Sequence, residues 1–243
     1  MKVLAIGNSF SQDATRYLNG IARSGGVSLD VVNLMIGGCS LEQHYQNMVA
    51  DSKSYSLEFN GGDTGFKTSI REALLSNDWD VITLQQASHF SFDKSTYLPF
   101  AKELLTYIRQ NVPRARVLLH QTWAYEKGSE RLRVVAGYER SEDMLADVVA
   151  SYGEVCRELG FDGIIPSGEM LGYMTSRGIA VHRDTFHASL GLGRYALGLL
   201  WYRCITGKTV AENRFCDLDL PADEDEIGLV KEYVDGVSAV FTE

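Results

Sequence analysis

The sequence predicts a three-layer α/β/α sandwich built on a five-stranded, mostly parallel sheet. Three observations carry that expectation. Short apolar runs recur along the chain and each stops at glycine or a polar cluster, which is how strands buried on both faces read. Segments with apolar residues at helical spacing separate these runs, and strands alternating with helices fold into a parallel sheet covered on both faces. No linker-like stretch divides the 243 residues, so one domain spanning 1–243 is expected.

Val3 to Ile6 is the first strand, ended by Gly7. After Ser11 the residues Ala14, Tyr17, Leu18, Ile21 and Ala22 fall at helical spacing, and Gly25-Gly26 supplies the stop. A second strand runs from Leu29 to Met35, followed by Gly37-Gly38 and a helix from about Leu41 to Val49. Residues 51–65, where Tyr55, Leu57 and Phe59 alternate before Gly61-Gly62-Asp63, read as an inserted hairpin outside the sheet. A helix over 66–77 leads to strand Val81 to Leu84, and a helix over 95–110 leads to strand Arg116 to Leu119. A long helix covers about 130–159, and the fifth strand, Gly163 to Ile165, ends at Pro166. Leu190 to Ile205 is apolar almost throughout, which suits a buried helix closed by Gly207; Tyr195, Trp201 and Tyr202 are core residues on this reading. Residues 223–241 form a last amphipathic helix whose acids, Asp223 to Glu226, favour its positive end rather than a metal ion.

A formal charge of −9 and a pI near 5.1 argue against a nucleic-acid partner, since that binding rests on Lys and Arg neutralising phosphates. The cysteines Cys39, Cys156, Cys204 and Cys216 form no CxxC pair, so neither a zinc site nor a redox motif is expected. No apolar run approaches the ~18 residues of a bilayer span. No signal-peptide hydrophobic region precedes the first strand, and the expectation is a cytoplasmic protein without a membrane partner.

Ligands of open α/β sheets bind beyond the carboxyl ends of the strands. That rule selects Gly7 to Ser11, Ile36 to Ser40, Gln85 to His89 and His120 to Tyr125. Ser9 lies at the first strand exit, near free N–H groups of a helix start, and Asp184 and His187 stand three residues apart ahead of the buried helix. A serine hydroxyl becomes nucleophilic when an imidazole takes its proton, and a carboxylate fixes that imidazole's tautomer. Ser9, His187 and Asp184 are therefore the expected nucleophile, base and orienter. A helix N-cap is the competing role for Ser9 or Ser11. His182 and His120 are other conceivable bases, but neither has a partner at Asp-x-x-His spacing. His120 and Trp123 are assigned to the pocket wall, with His89 and Tyr125 as weaker candidates.

These two ends of the chain resemble the SGNH, or GDSL-like, hydrolase superfamily, in which a serine after the first strand pairs with an Asp-x-x-His near the C-terminus. The resemblance covers essentially the whole sequence and implies a flavodoxin-like sandwich and a serine esterase that needs no metal or organic cofactor. Gly7-Asn8-Ser9 stands where the family commonly has Gly-Asp-Ser. By the same resemblance Gly38, or else Gly37, supplies an oxyanion-hole N–H beside that of Ser9. The family's Gly-x-Asn-Asp block is replaced by LQQASHF. Some carbohydrate-acetylesterase branches look similar in carrying Gln-Gly-Glu there, which makes Gln86 the third donor, with Gln85 and Ser88 as rivals. Asn8, Gln85, Ser88, His89, His120 and Trp123 are then expected to bind substrate. The expected reaction is hydrolysis of a short acyl ester, acetyl first, on a small-molecule or carbohydrate substrate through an acyl-serine. Transfer to another alcohol is the close variant. A flavin- or phosphate-binding module, suggested by the hydroxyl-rich GNSFSQDAT, and an inactive carbohydrate-binding relative are the alternatives.

Overall fold

The structure, a computed structural model, describes residues 1–238. β1 (Lys2–Gly7) takes the central place because it is apolar on both sides: Val3 and Ala5 enter one core, Leu4 and Ile6 the other. β1 pairs in parallel with β2 (Asp30–Met35) on one side. Later in the chain come a hairpin of β3 (Tyr55–Phe59) and β4 (Gly62–Thr68), then β5 (Val81–Leu84), β6 (Arg116–His120) and β7 (Gly163–Ile165). The sheet order is β4-β3-β2-β1-β5-β6-β7, and the run from β2 to β7 is parallel throughout.

The five expected strands are thus all present, and the sheet has seven among the described residues. The expectation of a hairpin outside the sheet is corrected. β3 pairs antiparallel with β2, and the turn uses Asn60 and Gly61, both at positive φ (50° and 82°), as a two-residue hairpin requires. Glu58 of β3 is buried and accepts the Asn33 Nδ2–H of β2 at 2.8 Å, so a polar pair as well as the backbone ladder ties the hairpin to the edge.

One core face is covered by α1 (Ser9–Thr15), α2 (Leu18–Ser24), α7 (Ser167–Ser176), α8 (Leu192–Thr206) and α9 (Glu224–Gly236); the other by α3 (Leu41–Val49), α4 (Ile70–Leu75), α5 (Phe100–Asn111) and α6 (Ser141–Leu159). The expected helix over 66–77 is shorter, because β4 runs to Thr68 and Ser69 caps α4 through a capping box with Glu72. The expected helix over 130–159 is broken. Arg131–Val135 forms a single π turn, Gly137 adopts φ 78°, and α6 starts only at Ser141. The last helix begins as expected and ends at Gly236; positions 239–241 of that expectation lie outside the described residues. No helix among the described residues is long and apolar enough to cross a membrane.

Candidate active site

A Cβ at position 7 would fall 2.5 Å from the Ser11 hydroxyl and 2.9 Å from the Gln85 side chain, so the approach of β1, α1 and the β5 exit requires glycine. Asn8 then caps α1, its Oδ1 accepting the Phe10 N–H at 3.0 Å. The cap is therefore neither Ser9 nor Ser11. Ser11 points inward, 2.8 Å from the Asn8 carbonyl and 2.7 Å from Asn33 Oδ1, and Ser9 is left at the first helical position with its hydroxyl turned to the far end of the chain.

There the Ser9 Oγ lies 2.8 Å from His187 Nε2, and His187 Nδ1 lies 2.8 Å from Asp184 Oδ2. Asp184 Oδ1 also accepts the backbone N–H of His187 at 2.8 Å, so one carboxylate holds the residue by ring and by main chain. Burial alone would raise the Asp184 pKa, but the hydrogen bonds from the His187 ring and backbone outweigh it and leave the carboxyl below its ordinary value. An ionised Asp184 accepts a hydrogen bond from the His187 Nδ1–H, which leaves the Nε2 lone pair facing Ser9. Such a line can move a proton off a hydroxyl and return it to a leaving group.

The loop carrying Asp184 and His187 is held under strain. Thr185, a β-branched residue, has φ 58°. Its carbonyl accepts the Glu126 N–H at 2.7 Å, and Trp123 Nε1–H donates to the Phe186 carbonyl at 2.7 Å. The strongest anchor is Asp13, one turn beyond Ser9 on α1 and fully buried. Its carboxylate receives Arg183 Nη1 at 2.8 Å, Arg194 Nε at 2.8 Å and the Ala188 N–H at 3.2 Å. Residues on both flanks of the Asp184–His187 segment are thereby fastened to the helix that bears Ser9.

Across the site, Gly38 has φ 65° with open space around it, so its backbone conformation rather than crowding calls for glycine. Asn8 Nδ2 donates to the Cys39 carbonyl at 3.0 Å, which brings the neighbours of Ser9 and Gly38 together. Gln86 does not face this opening. Its amide nitrogen is held by the Thr96 carbonyl and hydroxyl at 3.0 and 3.1 Å, while its Oε1 accepts the N–H groups of Leu41 and Ala87. The expectation of an oxyanion donor at Gln86 gives way to a support that fixes the start of α3 and hence the Gly37–Ser40 loop.

Several residues expected to touch substrate are packed beneath the site. Asn8 Oδ1, Gln85 and His120 form a buried chain: Gln85 Nε2 donates to Asn8 at 2.6 Å, Gln85 Oε1 is 2.8 Å from His120 Nδ1, and His120 Nε2 is 3.1 Å from the Ser167 hydroxyl. Burial lowers the His120 pKa to about 3, so this ring is a neutral link in the chain and not a pocket wall. Trp123 is buried against Phe10, ring centroids 4.0 Å apart. Ser88 is buried with its hydroxyl 3.0 Å from that of the buried Tyr125. His89 alone of the six is partly exposed, and burial followed by the nearby Arg131 charge lowers its pKa. His182 lies 3.2 Å from the Ala124 carbonyl through Nε2 and takes no part in the Ser9 line. Asp13, Arg183, Arg194 and Arg131 went unread in the sequence; an acid one helical turn after the serine was the available sign for Asp13. Among the described residues no group of three or more His, Cys, Asp or Glu is placed to hold a metal ion.

Solved structures of other proteins share this fold. A candidate SGNH hydrolase from Slackia heliotrinireducens superposes with TM-score 0.59 at 19% identity, covering 84% of this chain and 97% of that one. Axe2, an acetylxylan esterase from Geobacillus stearothermophilus, gives 0.57 at 14% identity, covering 84% and 94%. A DUF4886 family protein from Bacteroides uniformis is more similar, with TM-score 0.87 and 31% identity over 97% of this chain and 93% of that one. Residues 2–228 match the family described as Domain of unknown function (DUF4886), and the chain belongs to that family. No curated protein matches it.

Proposed function

We propose that this chain is a serine esterase of the SGNH type that removes a short acyl group, acetyl in the first instance, from a carbohydrate. The reading is carried by one observation, the unbroken line Ser9 Oγ–His187 Nε2 and His187 Nδ1–Asp184 at 2.8 Å each. Ser9 attacks the ester carbonyl as His187 takes its proton. The Ser9 and Gly38 N–H groups face the developing oxyanion, each such donor being worth about 3 kcal/mol in a transition state. His187 then protonates the departing alcohol, and water, activated by the same imidazole, releases the acid. The fold likeness to an acetylxylan esterase supports acetyl-sugar chemistry. Transfer of the acyl group to a second alcohol uses the same intermediate.

A fluorophosphonate should label the wild-type protein and leave Ser9→Ala unlabelled. Hydrolysis of p-nitrophenyl acetate and of acetylated sugars should fall by about 10⁴-fold or more in Ser9→Ala and His187→Ala. Retention of wild-type rates by either variant would dismiss the reading.

A further inference from the structure

We infer that the site takes an ester whose alcohol part is an acidic sugar, and that Arg131 binds its carboxylate; this rests on the esterase reading above. Arg131 belongs to the π turn Arg131–Val135, an arrangement uncommon in helices and often found at functional sites. Its guanidinium carbon lies 3.6 Å from the Phe186 ring centroid, and the His187 ring centroid lies 3.8 Å from the same point. Two groups that close to one centroid occupy opposite faces of the ring. The order is therefore Arg131, Phe186, His187, with one aromatic ring between a cation and the proposed base.

Two strand-exit segments, those after β5 and β6, converge on this cation. The Tyr125 ring lies 5.3 Å from the guanidinium carbon, Ser88 is hydrogen-bonded to that tyrosine, and the Arg131 charge helps lower the pKa of His89. Strand exits are where this architecture holds its ligands. Arg131 has no carboxylate partner among the described residues, and its Nε is buried without a hydrogen bond. The other two arginines close to the Asp184–His187 loop differ in kind, since Arg183 and Arg194 both pair with Asp13 and Arg194 also pairs with Asp219. A part-buried guanidinium with free donors beside a reaction centre is suited to a planar anion, which it can hold through two parallel hydrogen bonds.

The nearness of Arg131 to His187 assigns the charge to one part of the substrate. His187 must hand its proton to the leaving oxygen, so the alcohol part rests against His187, away from Gly38. Of the groups in the Ser9–His187–Asp184 line, His187 is the one Arg131 approaches, with only the Phe186 ring between them. The anionic group is accordingly on the alcohol, and for a sugar the matching class is a uronic acid.

The test compares acetylated methyl glucuronide with acetylated methyl glucoside, which differ in the carboxylate, by calorimetric binding to the Ser9→Ala protein. The acidic ligand should bind at least tenfold more tightly. In Ser9→Ala/Arg131→Gln the ratio should drop to near one, and in Ser9→Ala/Arg131→Lys, which keeps charge but not the planar fork, it should be intermediate. Loss of the stacking contact on Phe186 alone would weaken both ligands alike and leave the ratio unchanged. Equal binding of the two ligands, no binding of either, or a ratio that survives Arg131→Gln overturns the inference. Fluorophosphonate labelling of the wild-type protein separates the two readings: labelling at Ser9 with a ratio of one sinks only the acidic-sugar assignment, and a ratio above ten without labelling sinks only the esterase.

Discussion

Asp13 is the residue on which the geometry of the site turns, although its carboxylate bonds to neither Ser9 nor His187. A fully buried carboxylate shared by two guanidinium groups and a backbone N–H leaves Arg183 without a carboxylate, and Arg194 with Asp219 alone, when its charge is removed. Asp13→Asn should therefore lose about 3–5 kcal/mol of stability, read from urea unfolding. A purely structural role would end there. Because Arg183 and Ala188 flank the Asp184–His187 segment, the variant should also lose about 100-fold in kcat, with KM little changed, at temperatures where it is fully folded. A kcat equal to wild type under those conditions would reduce Asp13 to a stability element. Ser9, Asp184 and His187 were legible in the sequence because each is announced locally, by a strand exit or by an Asp-x-x-His spacing. Asp13 and Arg131 were not, since an acid in SFSQDAT and an arginine in ERLRVV read as solvated charge until tertiary structure supplies their neighbours.

At the scale of elements, the oxyanion side of the site is set by the turn between β2 and α3. Gly38 sits at φ 65° in open space, so Gly38→Ala meets no clash and costs about 1–2 kcal/mol in backbone strain alone. If its N–H serves the oxyanion, relaxation of that strain re-aims the donor, and kcat should fall by about 10²–10³-fold. Gln86→Ala acts on the same loop from behind. It orphans the buried N–H groups of Leu41 and Ala87, so it should cost about 1–3 kcal/mol of stability, and assays of both variants beside unfolding curves distinguish a donor from a support. The strands were readable because each central one is apolar on both faces. The edge hairpin was not assigned to the sheet, since its pairing with β2 depends on a buried Glu58–Asn33 contact that no local pattern announces. α7 was missed because Gly168 and Gly172 dilute its pattern. Those glycines let α7 lie against the β6 exit and α6: a Cβ on either would come within 2.3 Å of the Thr122 carbonyl or of Leu145.

At the scale of the whole molecule, Asp219 joins parts of the chain that are far apart in sequence. It accepts from Arg16 at the end of α1 and from Arg194 Nη1 of α8 at 2.8 Å, and its N–H meets the Tyr17 hydroxyl at 2.7 Å. Hydrogen bonding from Arg16 is the largest influence on its carboxyl and, with those from Tyr17 and Arg194, overcomes burial to hold the pKa far below the ordinary range. A carboxyl depressed in the folded state stabilises the fold at pH above its unfolded pKa, about 3.9, and that contribution is lost as pH falls toward the folded value. Below the pI near 5.1 the molecule becomes net positive. The Tm of Asp219→Asn should accordingly lie below wild type by a constant interval from pH 7 to about 5. That interval should narrow progressively as pH falls from about 4 to 2, because the wild-type protein loses there part of what the variant never had. Thermal unfolding of both proteins across this range measures it, and a gap that persists undiminished at pH 2 would show that Asp219 holds the C-terminal segment through packing rather than charge.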